Sequence, residues 1–279
     1  MSFKTILVPV DRHDRIAAVF DCAAALGRIG GGYIEAVPIR SLMADVYIAG
    51  AFGGVPVPQV PGTGASVDDL RRIADAELQR LGITKSPISG TGLRASWREI
   101  GPLDDISLSA RARAFDITVF GRANRDGSGP RMGVLEATLF ESGRPILIAP
   151  PRFSGNFGDK IVIAWNGSTE TARAVGFAMP LLERAKKVLM VSVAGMLVPG
   201  PTGADLAASL QANGIAVEER LVSANGRTSG EVFLAEAAAW GADLMIKGAY
   251  TQSRLRQMIF GGATSHILVA AELPVFMAH

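Results

Sequence analysis

The 279 residues include one cysteine, three histidines and few aromatics, at 6%. A lone Cys22 excludes a disulfide framework and a cysteine-rich zinc site. It falls within a helical pattern and reads as a small core residue. His13, His266 and His279 show no metal-ligand spacing. Charged residues make up 19% of the chain and the net charge is +2, so nothing advertises nucleic acid. No apolar run is long enough to span a bilayer. The short run Ile6 to Val10, cut off by Asp11-Arg12-His13-Asp14, is no signal peptide. These absences predict a cytoplasmic protein with neither membrane nor nucleic acid as partner.

Catalytic signatures are missing too. There is no G-x4-G-K-[ST] loop and no G-x-S-x-G elbow. Neither half carries G-x-G-x2-G after its first strand. No nucleophile–base pair stands out, nor any carboxylate cluster for a catalytic magnesium. An enzyme is the weaker reading, with at most weak ATP hydrolysis.

What the chain does have is apolar residues, at 48%, and 32 glycines. Short runs apolar on both faces alternate with helical periods, which predicts a parallel sheet with right-handed crossovers. Strands are expected at 4–10, 33–39, 92–99, 116–120 and 145–148. Helices are expected at 16–26, 67–81, 103–114 and 132–141, with Gly27 and Gly30 to Gly32 stopping the first. Residues 41–65, with five glycines and three prolines, read as a long loop. Residues 151–158 read as a linker, after which the pattern restarts. Strands follow at 160–165, 187–193, 216–222, 244–247 and 274–277, and helices at 168–185, 204–212, 228–240 and 264–271. Ser168 suits the capping position of its helix. Trp97, Trp165 and Trp240 read as core.

The chain is a duplication. Thr5 to Asp11 (TILVPVD) matches Lys160 to Asn166 (KIVIAWN). Asp116 precedes Gly121 by five positions, as Asp243 precedes Gly248. PILIA at 145–149 matches PVFMA at 274–278. Domains are expected at 1–150 and 159–279. In such sheets a ligand binds beyond the carboxyl ends of the strands at the switch point, which here means the ends of the first and fourth strands. The second of these places has a strand ending at Gly248, then a basic loop with Arg254 and Arg256, then Gly261-Gly262 opening a helix. Unpaired N–H groups and the dipole at a helix start favour an anion.

The repeated ILVPVD-type strand, the D-x4-G of the fourth strand, the glycine loop and the closing P-[IV]-x-[IVLM] strand resemble the universal stress protein family. Two copies in one chain resemble its tandem members, over nearly the whole length. The resemblance implies two α/β domains, each a five-stranded parallel sheet with helices on both faces. It also implies that they pair through their last strands as an intrachain pseudo-dimer, and it leaves a further homodimer open. The function it implies is a stress-response regulator or binding module for adenine nucleotide, with ATP, magnesium and an unknown protein partner as its companions.

The family's ATP loop, G-x2-G-x9-G-[ST], fits the second half in part. Gly248 and Gly261 match, Thr251 and Gly262 replace the next glycine and the hydroxyl residue, and Thr264 and Ser265 follow. Asn166 stands where the family has an acid. In the first half Asp11 and Gly121 match, but Met132 replaces a loop glycine and Glu136 sits opposite Ser265. The candidate nucleotide set is Asn166, Val193, Gly248, Thr251, Arg254, Gly261, Gly262 and Thr264, with Asp11 and Gly121 in the first half. The plain alternatives are that the glycines serve turns and close packing, that Asp11 caps a helix, and that the arginines form a solvated face. The runner-up function is a scaffold that binds no nucleotide and takes a protein partner or apolar ligand at 41–65.

Overall fold

The computed structural model describes residues 3–11, 15–39, 65–86, 89–123, 130–250 and 263–279. The predicted loop at 41–65 and the loop 251–262 therefore lie outside the described residues, apart from Ala65. The first half runs β1 (Thr5–Val10), α1 (Ile16–Gly30), β2 (Tyr33–Pro38), α2 (Val67–Arg80), β3 (Thr84–Lys85), β4 (Arg94–Trp97), α3 (Asp105–Ala112), β5 (Ile117–Gly121), α4 (Met132–Glu141) and β6 (Ile146–Ala149). The second runs β7 (Lys160–Trp165), α5 (Thr169–Leu182), β8 (Lys187–Val193), α6 (Gly203–Ala212), β9 (Val217–Val222), α7 (Ser229–Trp240), β10 (Leu244–Gly248), α8 (Ala263–Ala270) and β11 (Val275–Ala278).

All the strands join one sheet in the order β3-β4-β2-β1-β5-β6-β11-β10-β7-β8-β9. Within each half the pairing is parallel, with β1 between β2 and β5 and β7 between β8 and β10. The halves meet where β6 and β11 run antiparallel, with Leu147 opposite Phe276. Because that junction reverses strand direction, the carboxyl ends of the two halves lie at opposite edges of the sheet.

The apolar strands are buried on both faces, as continuous apolar runs require. One face packs Val19 and Phe20 of α1, Leu70 of α2, Ala174 of α5 and Leu210 of α6. The other packs Leu108 of α3, Leu135 of α4, Phe233 of α7 and Leu268 of α8. Cys22 is fully buried, and burial pushes its thiol pKa up. Trp165 is buried, whereas Trp97 and Trp240 are only partly so.

Two sequence expectations need correction. Among the described residues the first half has six strands rather than five, because Thr84 and Lys85 pair with Arg94 and Ala95 as β3. Two exposed residues carry no readable alternation. Gly27 does not stop α1, which continues to Gly30 and ends on Gly31 at φ 63°. Gly27 lies instead where Leu93 and Ile6 press on the helix. The segment 151–158 carries Phe153 and Phe157, both packed against the core.

The acid of the D-x4-G pattern sits at the amino end of its strand, away from any switch-point site. Asp116 accepts from the backbone N–H groups of Lys4 and Thr5 at 2.8 and 2.9 Å and from the Thr5 hydroxyl at 3.0 Å. Asp243 accepts from the N–H groups of Gly158, Asp159 and Lys160. Each carboxylate ties down the entry of the first strand in its half, satisfying donors that no neighbouring strand reaches. Hydrogen bonds to a charged acceptor contribute about 1.5–3 kcal/mol. Asp116→Ala is therefore expected to lower unfolding free energy by about 2 kcal/mol in urea, with Asp116→Asn losing less. Equal stability of the alanine variant and the parent would refute this role.

Candidate functional site

The topology brings three of the expected residues to adjacent strand ends in the second half. Val193 ends β8, Asn166 follows β7 and Gly248 ends β10, in the spatial order β8-β7-β10. Thr264 lies in the first turn of α8, which follows β10. Asp11 and Gly121 form the matching pair beyond β1 and at the end of β5, at the other edge of the sheet. Thr251, Arg254, Gly261 and Gly262 lie outside the described residues.

Asn166 is turned back on its own chain. Its Oδ1 accepts from the Ser168 N–H at 3.2 Å and the Thr171 hydroxyl at 2.7 Å. Ser168 is the N-cap of α5, accepting from the Thr171 N–H. The segment after β8 lies across the exit of β7: Val198 N–H donates to the Asn166 carbonyl at 3.0 Å, and the Trp165 indole N–H donates to the Pro201 carbonyl at 3.2 Å. Nothing in the pattern of residues 194–201 pointed to this cover. In the first half, α1 starts at Ile16 with Arg15 as N-cap and no side-chain cap bond.

Gly248 has a steric reason to be glycine. A Cβ there would run into the backbone of Glu170 and Thr171, so only glycine lets β10 end against the start of α5. The next residues turn sharply. Tyr250 adopts φ 58°, and its hydroxyl donates to Glu136 of α4 in the first half. Phe140 of α4 packs against both Tyr250, tilted, and His279, edge-on, with ring centroids 5.1 and 4.5 Å apart.

The residue before Gly248 received no role from the sequence. Lys247 is buried, and its ammonium donates to the Gly248 carbonyl at 2.6 Å and the Thr264 hydroxyl at 3.0 Å. The Tyr250 N–H also donates to that hydroxyl, at 3.3 Å. Among the described residues no carboxylate lies within ion-pairing distance of the ammonium. A lysine inside an otherwise apolar strand, LMIKG, was the available signal.

The two halves treat the helix after the glycine strand differently. In the first, Asp105 of α3 stands beside Gly133 at the start of α4 and pairs with Arg131 at 2.6 Å. A carboxylate already occupies that positive helix end. In the second, the residue after the N-cap of α7, corresponding to Asp105, is Ser229.

Among the described residues no group of three or more His, Cys, Asp or Glu is placed to hold a metal. No described helix is long and apolar enough to cross a membrane. A shallow hollow of about 530 Å³, lined by Arg72, Asp75, Gln79, Ile83 and Lys85, lies between α2 and β3. It is remote from the strand ends described above.

Burial pushes the Lys247 pKa from 10.5 down to about 8, with Glu170 opposing. A depressed lysine pKa means that the unfolded chain holds the proton more tightly. Stability is thus full above about pH 10.5 and is lost as pH falls through about 8. That interval is worth about 3 kcal/mol. Urea unfolding between these limits should show the parent gaining stability with pH relative to Lys247→Met. Parallel curves for the two proteins would show that the amine is not buried as described.

No protein-family model matches the chain, and no curated protein matches it. Solved structures do. A universal stress protein from Archaeoglobus fulgidus DSM 4304 aligns with a TM-score of 0.71 at 18% identity, over 99% of this chain and 97% of that one. A putative universal stress protein from Pseudomonas aeruginosa UCBPP-PA14 aligns with a TM-score of 0.58 at 12% identity, over 99% and 93%. The cytoplasmic domain of a prokaryotic cation chloride cotransporter aligns with a TM-score of 0.51 at 14% identity, over 98% and 94%. The last shows the same architecture in a different setting, so the architecture alone does not name a function. The chain has the fold of the tandem universal stress proteins.

Proposed function

We propose that the chain is a universal-stress-type regulator or binding module, with domains at 1–150 and 159–279, that binds adenine nucleotide at the second-half strand ends. The observation that carries this reading is the start of α8. It follows a strand ending at Gly248, and the position that holds Asp105 beside the start of α4 in the first half is Ser229 here. An anionic group is the complement of such a helix end.

In this reading Thr264 and Gly248 face the phosphates, together with Thr251, Arg254, Gly261 and Gly262 of the connecting loop. Val193 and Asn166 stand at the base and ribose, and Asp11 and Gly121 mark the weaker counterpart in the first half. The ligand is ATP, with magnesium carried by its phosphates. Hydrolysis is slow or nil in this reading, and among the described residues no group of three or more His, Cys, Asp or Glu is placed to hold a metal. A cytoplasmic setting and a protein partner that reads the bound state complete the proposal.

One observation favours the second reading, a scaffold without nucleotide. The Asn166 side-chain oxygen is committed to Ser168 and Thr171, and residues 198–201 lie over the exit of β7. A base could enter only if that segment moved.

Denaturing the purified protein and separating the released small molecules tests for carried nucleotide. Calorimetric titration of ATP into the emptied protein then gives the affinity. Micromolar binding is expected, and Gly261→Asp should abolish it with the fold intact, because a carboxylate at that position competes with phosphate. Unchanged affinity in the variant would move the site elsewhere. No binding heat and no shift in melting temperature would leave the scaffold.

A further inference from the structure

The sheet has two outer edges, and they are built differently. One is β3, two residues long. The other is β9, six residues long and paired on one side alone, with β8. The Val222 carbonyl accepts from the Ala194 N–H on the β8 side. Along a parallel strand the bonding direction alternates from residue to residue. Val217, Glu219 and Leu221 therefore turn their backbone N–H and C=O groups away from the sheet. Such a row is a template for another strand, and proteins shorten it, cover it or charge it. β3 is short. β9 carries charge, but of both signs.

Apolar surface gathers at the same edge. Of the large apolar side chains exposed among the described residues, Leu221 (66%), Leu197 (46%) and Met196 (40%) lie here, and only Ile106 lies elsewhere. Leu221 is on β9 itself. Met196 and Leu197 are in the turn that leaves β8 beside the end of β9.

The order of residues along the strand says what fits. Residues 216–222 read Ala-Val-Glu-Glu-Arg-Leu-Val. A second copy laid antiparallel and centred on Glu219 sets Ala216 opposite Val222, Val217 opposite Leu221 and Glu218 opposite Arg220. Two-fold symmetry repeats each pair. Centring on Glu218 or Arg220 instead sets charged residues against apolar ones and keeps a like-charge pair in the middle. Centring on Leu221 leaves every charge without an opposite partner. The faces agree with the Glu219 register. Val217 and Glu219 lie on the α6 face, with Leu221 two residues on, while Arg220 lies on the α7 face beside Glu236.

Within the strand the Arg220 Nε already donates to Glu218 at 2.8 Å, yet both side chains stay half-exposed. Residues opposite each other across a ladder bring their Cβ atoms to about 4.5–5.5 Å, nearer than the roughly 6.6 Å between alternate residues of one strand. The one like pair is Glu219 with itself. Its carboxylate lies against Gly203 at the start of α6, where the helix dipole favours it. Gly203 sits over Met190 of β8, so that carboxylate leans inward over the sheet, away from the open edge.

We propose that β9 is an interface for a second copy of this chain, antiparallel about Glu219, so that the sheets of two copies join into one. The chain uses the same device internally, where β6 and β11 run antiparallel. This interface does not depend on the nucleotide reading.

The test is sedimentation of the full chain over a concentration series at pH 7. The parent is expected to form a concentration-dependent dimer. Arg220→Glu sets Glu against Glu218 of the second copy, and Glu218→Arg sets Arg against Arg220. Each is expected to weaken the dimer at least tenfold, since like charges directly opposite repel. An equimolar mixture of the two variants is expected to regain the parent's strength, because every arginine then meets a glutamate. Leu221→Lys touches neither ion pair and is also expected to weaken the dimer. It serves if loss of the Glu236 contact unfolds the Arg220 variant. A parent that stays monomeric throughout would overturn the interface. So would a dimer that the single variants leave intact, or a mixture that associates no better than either variant alone.

Discussion

Everything about the placement of the sites depends on the antiparallel junction of β6 and β11. Ile146, Leu147 and Ile148 pair with Met277, Phe276 and Val275, and all six are buried. The last strand of each half would otherwise be an apolar sheet edge, open to aggregation. Joining the two edges removes both and makes one continuous sheet. The same junction reverses strand direction, so the two switch points face opposite edges. It also brings the start of each half's connecting loop against the other half. Tyr250 reaches Glu136 and Phe140, while Arg122 donates to the Ala271 carbonyl and pairs with Glu272.

Within that frame the halves have diverged at the place where an anion would sit. The first meets its positive helix end with a carboxylate of its own, Asp105, and fills the strand position before the glycine with Phe120. The second has Ser229 and Lys247 at those positions. The exchange concentrates positive charge in the second half and removes it from the first. The balance is local, since the whole chain carries only +2.

Much of the fold was legible because its strands are buried on both faces and its helices amphipathic. Met132–Glu141, Lys160–Trp165 and Lys187–Val193 fall where periodicity and apolar runs place them. The duplication and the switch points were legible from repeated short patterns. Boundaries set by contact rather than by pattern were not. Gly27 reads as a stop and is an interior helix residue under Leu93 and Ile6. Thr84 and Lys85 form a strand only because Arg94 and Ala95 lie beside them. Asp116 and Asp243 were visible as a repeated spacing, yet their task at the amino end of the sheet depends on backbone donors far away in sequence.

The candidate site divides along the same line. By itself the sequence determined the class of architecture, the two repeats, and the strand–glycine–helix order that can face an anion. These are local properties, carried by hydropathy period and by residues with special backbone freedom. Only the tertiary structure decided which helix start is already met by a carboxylate, that Asn166 is bonded to its own helix, and that residues 198–201 cover β7. It alone showed that Lys247 is buried against Thr264, since burial and charge pairing are relations between distant segments. A lysine in a sequence is a solvated charge by default, and it becomes something else only when the chain closes around it.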